Sequence, residues 1–159
     1  MEPASGQAKD VRPSGPGGVR ERVLAEHERL RIVIAEVDRC ATAVASGREE
    51  LVEKLRREAE NLYHMLARHI DHEDAVLAPL IRRIDAWGPV RFEQMQRDHK
   101  EQREALARAL LDLETHDVGL GKVVQSMTSE ILHDMKREEH DLLHPDLWRE
   151  DLIVVEFGG

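Results

Sequence analysis

The sequence predicts an all-α protein, an up-down-up-down antiparallel four-helix bundle. Apolar residues recur at steps of three and four along four separate stretches, which is the spacing of one helix face. Short breaks that include glycine or proline separate these stretches, and short connections favour antiparallel neighbours. Aromatic residues make up only 3% of the chain and its apolar set is mostly aliphatic, a mixture that suits packed helices better than a sheet.

The chain divides into three predicted parts. Residues 1–18 are rich in glycine, proline and serine, which is typical of a disordered lead. Residues 19–148 carry the four periodic stretches and form the predicted bundle. Residues 149–159 are left as a C-terminal tail, and the apolar segment 152–155 within it is a candidate homodimer contact.

The first two helices are predicted from continuous apolar stripes. We expect Gly47 to end the first helix and the break at Trp87, Gly88 and Pro89 to follow the second. The stripe of the first helix consists of Val23, His27, Leu30, Ile34, Val37, Ala41 and Val44. The stripe of the second consists of Leu51, Leu55, Ala59, Leu62, Leu66, His69, Glu73, Leu77 and Leu80.

The last two helices follow the same rule. The third closes in the segment 115–121 and the fourth ends near Pro145. The stripe of the third consists of Phe92, Met95, His99, Leu106, Leu110 and Leu113. The stripe of the fourth consists of Val124, Met127, Ile131, Met135, Glu139 and Leu142.

The second and fourth helices look like imperfect copies of each other. Glutamate, leucine and proline recur at the same offsets, as Glu73, Leu77 and Pro79 in one segment and Glu139, Leu143 and Pro145 in the other. A two-fold repeat of a helix pair is the simplest explanation. This alignment sets Met135 against His69.

Composition and charge limit the classes of partner. The net charge of −9 and the pI near 5.5 argue against a nucleic-acid partner, because such proteins usually present a basic face. The sequence has neither an apolar run of membrane-spanning length nor a recognisable signal peptide. The single Cys40 suits a reducing compartment. We therefore expect a cytoplasmic protein without a membrane partner.

Polar residues interrupt the apolar stripes where a core is expected. His69 and Glu73 lie one turn apart on one face of the second helix, and an ionised carboxylate in a core is costly unless it is paired or binds a metal. Imidazole and carboxylate groups together suit a transition metal inside a bundle. The candidate metal ligands are His27, His69, Glu73, His99 and Glu139.

These motifs resemble the hemerythrin-like, HHE cation-binding family over residues 19–148. The resemblance is carried by His27, the His69-x-x-x-Glu73 motif with Leu77 and Pro79, and the isolated His99. It implies two non-haem irons in a four-helix bundle. His27 and His69 would hold one, His99 would help to hold the other, and Glu73 and Glu139 would bridge them.

The fourth helix departs from the family pattern. The family has His-x-x-x-Glu there, and in this alignment the chain has Met135, a poor ligand for iron. Arg103 also stands where oxygen-carrying hemerythrins have a second histidine. Three alternatives remain open: a π-bulge could turn His140 inward as a replacement ligand, water or a small ligand could fill the position, or only one ion binds well.

Three functional hypotheses follow. The resemblance implies a protein that binds or senses O2, NO or peroxide, or handles iron. A second hypothesis is an enzyme that turns over peroxide or NO, or repairs iron sites. A third is a bundle that has lost its metals and acts as a protein-interaction module, which the substitution at Met135 favours.

Overall fold

The computed structural model describes residues 15–115 and 118–149, and the described residues form helices and turns with no strand. The helices are α1 (Pro16–Ala45), α2 (Val52–Val76), the single turn α3 (Ala78–Ile81), α4 (Gly88–Thr115) and α5 (Leu120–Asp141). The four long helices, α1, α2, α4 and α5, pack in a ring in which each contacts the next and α5 returns to α1. This arrangement confirms the predicted all-α bundle.

The first helix begins three residues before the predicted boundary at residue 19. Pro16 occupies its first turn, where the missing N–H costs nothing and the fixed φ suits a helix. Gly47, with a φ of 106° that side chains rarely adopt, terminates the turn after α1 as expected. Residues 1–14 and 150–159 lie outside the described part. Most of the predicted lead, residues 1–18, and the whole candidate dimer segment, residues 152–155, fall there.

The second predicted helix is interrupted. The backbone N–H of Leu77 still bonds to the carbonyl of Glu73 at 2.8 Å, but Pro79 lacks an N–H and the chain restarts as α3. A turn through residues 82–87 then leads into α4. Glu73 therefore lies in the last turn of α2, where the regular helix ends.

The core consists of two apolar clusters. The larger lies towards the α1–α2 and α4–α5 connections and includes Ile34, Leu62 and Val124. The smaller lies towards α3 and includes Leu77, Met95 and Trp148. Trp148 is buried and donates its indole N–H to the carbonyl of Leu142 at 2.7 Å, which closes the bundle end.

A layer of polar side chains lies between the two clusters. On each long helix it sits at the point where the buried residues change from one cluster to the other. The side chains of its three most buried members are each only 1% exposed. The polar layer consists of His27 on α1, His69 and Glu73 on α2, His99 on α4 and Glu138 on α5. No helix among the described residues is long and apolar enough to span a membrane.

Candidate metal centre

The spacing of residues along each helix places the side chains of the polar layer on the inward faces of the bundle. His69 and Glu73 are four residues apart on α2 and share one face. Ile131 and Met135 on α5 and Leu142 directly after it are buried and spaced by four and seven residues, so Glu138 lies on the same inward stripe. Each helix therefore presents its polar side chain to the bundle axis.

Four side chains converge at one point of the layer. His27, His69, Glu73 and Glu138 each offer one ligand atom, and these atoms all lie within 4.8 Å of one another. His27 Nε2 is 3.0 Å from His69 Nε2, 3.2 Å from Glu73 Oε1 and 3.4 Å from Glu138 Oε1. Glu73 Oε1 also contacts His69 Nε2. Two imidazoles and two carboxylates in this geometry could hold a metal ion.

His99 approaches the same carboxylates from the opposite side. Its Nε2 is 3.1 Å from Glu73 Oε2 and 3.8 Å from Glu138 Oε2. In each glutamate, one oxygen faces His27 and the other faces His99. Both carboxylates therefore lie between the imidazole of His27 on one side and that of His99 on the other.

Two atoms of the layer lack a hydrogen bond. Among the described residues, His99 Nε2 and Glu138 Oε1 are buried polar atoms without a hydrogen-bond partner. His99 Nε2 lies close to Glu73, but not in a hydrogen-bonding orientation. Unpartnered buried polar atoms are costly, and a cation between nitrogen and oxygen donors would satisfy both. The residues present therefore fit a transition metal.

The pKa values of the histidines and glutamates also indicate that positive charge stabilises the polar layer. Burial lowers the pKa of His27, but the neighbouring carboxylates of Glu138 and Glu73 outweigh this effect and raise the pKa to about 10. The pKa of His99 rises to about 10 through the same competition. Burial opposes ionisation of Glu73, yet its contacts with three histidines hold its pKa well below the usual range. Burial raises the pKa of Glu138, and the charge of Glu73 adds to that effect. Without a metal, protons must supply the positive charge.

The outer nitrogens of the three histidines all meet carboxylates. His27 Nδ1 lies 3.1 Å from Glu139 Oε2, and His69 Nδ1 lies 2.9 Å from Glu26 Oε2. His99 Nδ1 lies 2.6 Å from Asp74 Oδ1. These contacts leave each Nε2 facing the interior of the layer, where a metal would bind.

The structure brings four of the five sequence-derived candidates together, and Glu139 lies beside them. Its side chain is 24% exposed against 11% for Glu138, and it pairs with Arg31 and with the outer nitrogen of His27. Glu138 was not among the candidates predicted from the sequence. The buried run Ile131, Met135 and Leu142 carries the signal, because Glu138 falls on that face while Glu139 lies about 100° further round.

The suggested replacement ligand does not reach the layer. The side chain of His140 is 82% exposed and its Nδ1 lies 2.7 Å from its neighbour Asp141. Helix α5 stays regular through Asp141, so no π-bulge turns His140 inward. Met135 is buried and packs within the larger apolar cluster.

A small cavity adjoins the four converging side chains. Its volume is about 50 Å3. A second cavity of about 40 Å3 lies on the other side of Glu138, beside His99. Gln102, Asp134 and Glu138 line both. The apolar wall of the first cavity comprises Leu66, Ile70, Leu106, Ile131 and Met135.

Comparison with known proteins agrees with this geometry. The family model of the hemerythrin HHE cation-binding domain matches residues 19–146, which is most of the chain and contains every member of the polar layer. No curated protein and no solved structure matches the chain significantly. The chain therefore belongs to the hemerythrin HHE cation-binding domain family.

Proposed function

We propose that the protein binds two iron ions in its polar layer and uses them to bind, sense or detoxify a small ligand such as O2, NO or peroxide, or to handle iron. His27 and His69 would hold the first ion and His99 would help to hold the second. Glu73 and Glu138 would bridge them, so Glu138 takes the role that the sequence suggested for Glu139. Iron would supply redox chemistry and a position where a small ligand binds.

The observation that carries this proposal is the orientation of the two glutamates. One oxygen of each faces His27 and the other faces His99, at distances between 3.1 and 3.8 Å. A carboxylate that bridges two ions needs its oxygens directed to opposite sides. A single ion would leave half of these donors unused, His99 Nε2 among them.

The cavity beside the layer supports a small ligand. About 50 Å3 holds a few water-sized molecules, since one needs at least about 10–15 Å3, whereas sites for drug-sized organic molecules run to about 300–1,000 Å3. Part of the cavity wall is apolar. Gln102 offers the ligand one amide, which can donate or accept a hydrogen bond.

The proposal is tested first by metal content. Protein produced without a histidine tag in iron-replete cells should contain close to two irons per chain by elemental analysis. Absence of iron and of other transition metals would overturn the proposal. One iron per chain would restrict the site to His27, His69 and the two glutamates.

Rapid mixing then separates binding from turnover. Ferrous protein prepared without oxygen is mixed with O2, NO or peroxide in turn, and its optical spectrum is followed. A single stoichiometric spectral change supports a binding or sensing role. Continued consumption of peroxide or NO supports an enzyme. A His69→Ala variant serves as the control, because it lacks one side chain of the converging group.

The second candidate is a metal-depleted interaction module, which the buried Met135 on α5 favours. This candidate predicts that added iron leaves the melting temperature of wild-type protein unchanged. The iron-binding proposal predicts a rise, because a ligand that binds the folded state stabilises it. His69→Ala and Glu73→Ala should abolish that rise.

A further inference from the structure

We propose that Asp134 is the α5 ligand of the second iron, standing where the family pattern has a histidine. This inference rests on the two-iron site proposed above. It changes which residue of α5 is compared with His69, and it removes Met135 from the position of a metal ligand.

The helix pairs α1–α2 and α4–α5 carry matching residues at matching positions. Arg31 follows His27 by four residues, and Arg103 follows His99 by four residues. His69 precedes Glu73 by four residues, and the residue four before the buried Glu138 is Asp134. The corresponding pairs are Glu26 and Asp98, His27 and His99, Arg31 and Arg103, His69 and Asp134, His72 and Arg137, Glu73 and Glu138, and Asp74 and Glu139.

Contacts around the layer obey this relation. Asp74 accepts from His99 Nδ1 and pairs with Arg103. On the other half, Glu139 accepts from His27 Nδ1 and pairs with Arg31. The two carboxylates and their arginines thus have the same partners in both halves.

A second set of contacts agrees. Glu26 lies 3.0 Å from His72, and its counterpart Asp98 lies 3.9 Å from Arg137. Arg137 also lies 3.6 Å from Asp134. Glu26 and His72 therefore lie beside His69 in one half as Asp98 and Arg137 lie beside Asp134 in the other.

The apolar neighbours fix the same register. Met135 corresponds to Ile70, and both are buried in the larger cluster. Leu142 corresponds to Leu77, because the backbone N–H of each bonds at 2.8 Å to the carbonyl of the buried glutamate four residues before it, Glu138 and Glu73. Met135 thus takes the place of an apolar core residue, and the residue before it takes the place of the histidine.

The cavity beside His99 provides the space. Its volume is about 40 Å3, and His99, Glu138 and Asp134 all line it. His99 Nε2 is buried without a hydrogen-bond partner among the described residues. An ion in this cavity would have an imidazole from α4 and two carboxylates from α5 around it. Carboxylate oxygen is a ligand that iron accepts.

Asp134 faces the cavity from its rim. It is partly exposed, and its Oδ1 lies 3.6 Å from the guanidinium of Arg137. Burial raises the pKa of its carboxyl, as do the charges of Glu130 and Asp98, while Arg137 lowers it. Binding an ion would replace Arg137 as the partner of this carboxylate.

The test compares Asp134→Asn with Met135→Leu in the full chain. Asn keeps the shape of the side chain but loses its charge, and Leu keeps the volume of Met135 without its sulfur. Ferrous iron is titrated into metal-free protein without oxygen, with iron per chain and the Mössbauer spectrum as readouts. We expect Asp134→Asn to weaken the second ion at least tenfold and to leave the first in place. Met135→Leu should match wild type, and Asp134→His should restore the second ion.

The outcomes separate this inference from the proposed function. Two irons bound to Asp134→Asn with wild-type affinity would overturn the inference and leave the two-iron site intact. Loss of the second ion in Met135→Leu would overturn it as well. Wild-type protein that binds no iron would overturn the proposed function itself. A circular dichroism spectrum and a melting curve for each variant check that it is folded.

Discussion

At the scale of single residues, the carboxylates beside the histidines fix the tautomer and the orientation of each imidazole ring. A histidine that binds a metal through Nε2 holds its proton on Nδ1, and a carboxylate at Nδ1 fixes that tautomer and the ring orientation. His27, His69 and His99 each have such a partner at 2.6–3.1 Å. Glu139 thus supports the candidate metal site from outside the polar layer, by holding the imidazole ring of His27.

Glu139→Gln tests this contribution at His27. We expect the affinity for ferrous iron to fall about 10–100-fold, because the amide lacks the charge that orients the imidazole and strengthens it as a donor. Isothermal titration of metal-free protein measures the change.

The matched control is Glu28→Gln. Glu28 pairs with the same Arg31 at 2.7 Å, but its side chain is exposed on the outside of α1. It should leave the affinity within error of wild type. Equal losses in the two variants would mean that Arg31, and not the imidazole contact, carries the effect.

Proton release is a second prediction at this scale. The raised pKa values of His27 and His99, about 10 in both, mean that both rings carry an extra proton at pH 7 in metal-free protein. A ligand nitrogen must lose its proton, so metal binding at pH 7 should release protons and affinity should rise towards pH 10. An indicator dye in weak buffer measures the release. Binding without acidification would contradict it.

The raised pKa values of His27 and His99 also make the stability of metal-free protein depend on pH. The folded pKa of each ring lies above its ordinary value of 6.5, so this stabilisation is complete below pH 6.5 and is lost as the pH rises through about 10. We expect the free energy of unfolding of metal-free protein to fall between pH 7 and 10 in urea titrations. A flat profile over this interval would show that the rings are neutral in the fold.

How far the sequence predicts individual site residues depends on the neighbours of each. His27 and His99 stand between clear apolar residues on long regular helices, and Glu73 shares a face with His69. Glu138 was missed because Leu143 and Pro145 set the register of the repeat. Both lie after the end of α5, and Leu77 and Pro79 lie after the end of α2. Turn residues do not fix the face of a helix.

At the scale of the helices, α1 and α5 lie in close contact at Gly121. A Cβ at this position would lie 2.6 Å from the carbonyl oxygen of Ala41 and from the backbone nitrogen of Ala45. Backbone atoms cannot yield as a flexible side chain can. The residue therefore sets the spacing of the two helices that carry His27 and Glu138.

Gly121→Ala should destabilise the protein by about 1–3 kcal/mol, the usual cost of an overpacked core. Helix propensity alone predicts the opposite sign, a gain of about 0.5–1 kcal/mol. Urea unfolding of metal-free protein decides between them. A stabilised variant would show that α1 and α5 separate at no cost.

The sequence predicts the long helices well and the breaks less well. Four stripes of apolar residues gave four long helices, because burial of one face decides where each lies. The interruption after Val76 was missed because the stripe continues through Leu80. The removal of one backbone N–H at Pro79 ends the helix there, and an apolar pattern does not record this.

On the scale of the whole molecule, the two helix pairs supply unequal halves of one site. The first pair contributes His27, His69 and Glu73, and the second contributes His99, Glu138 and, by our inference, Asp134. Because the first half is already assembled in the structure, we expect iron to fill it before the half at His99. An iron titration followed by Mössbauer spectroscopy should therefore show one ferrous signal before the second.

The position of the polar layer also has a consequence for local unfolding. Among the described residues, the smaller apolar cluster, which holds α3 and Trp148, is separate from the larger one, and a seam of ionisable side chains lies between them. Such a seam is a natural boundary between cooperative units. In metal-free protein, amide hydrogens of residues 78–95 should exchange with solvent well before those of residues 55–66. Bound iron should close this gap, so that metal makes two foldons behave as one.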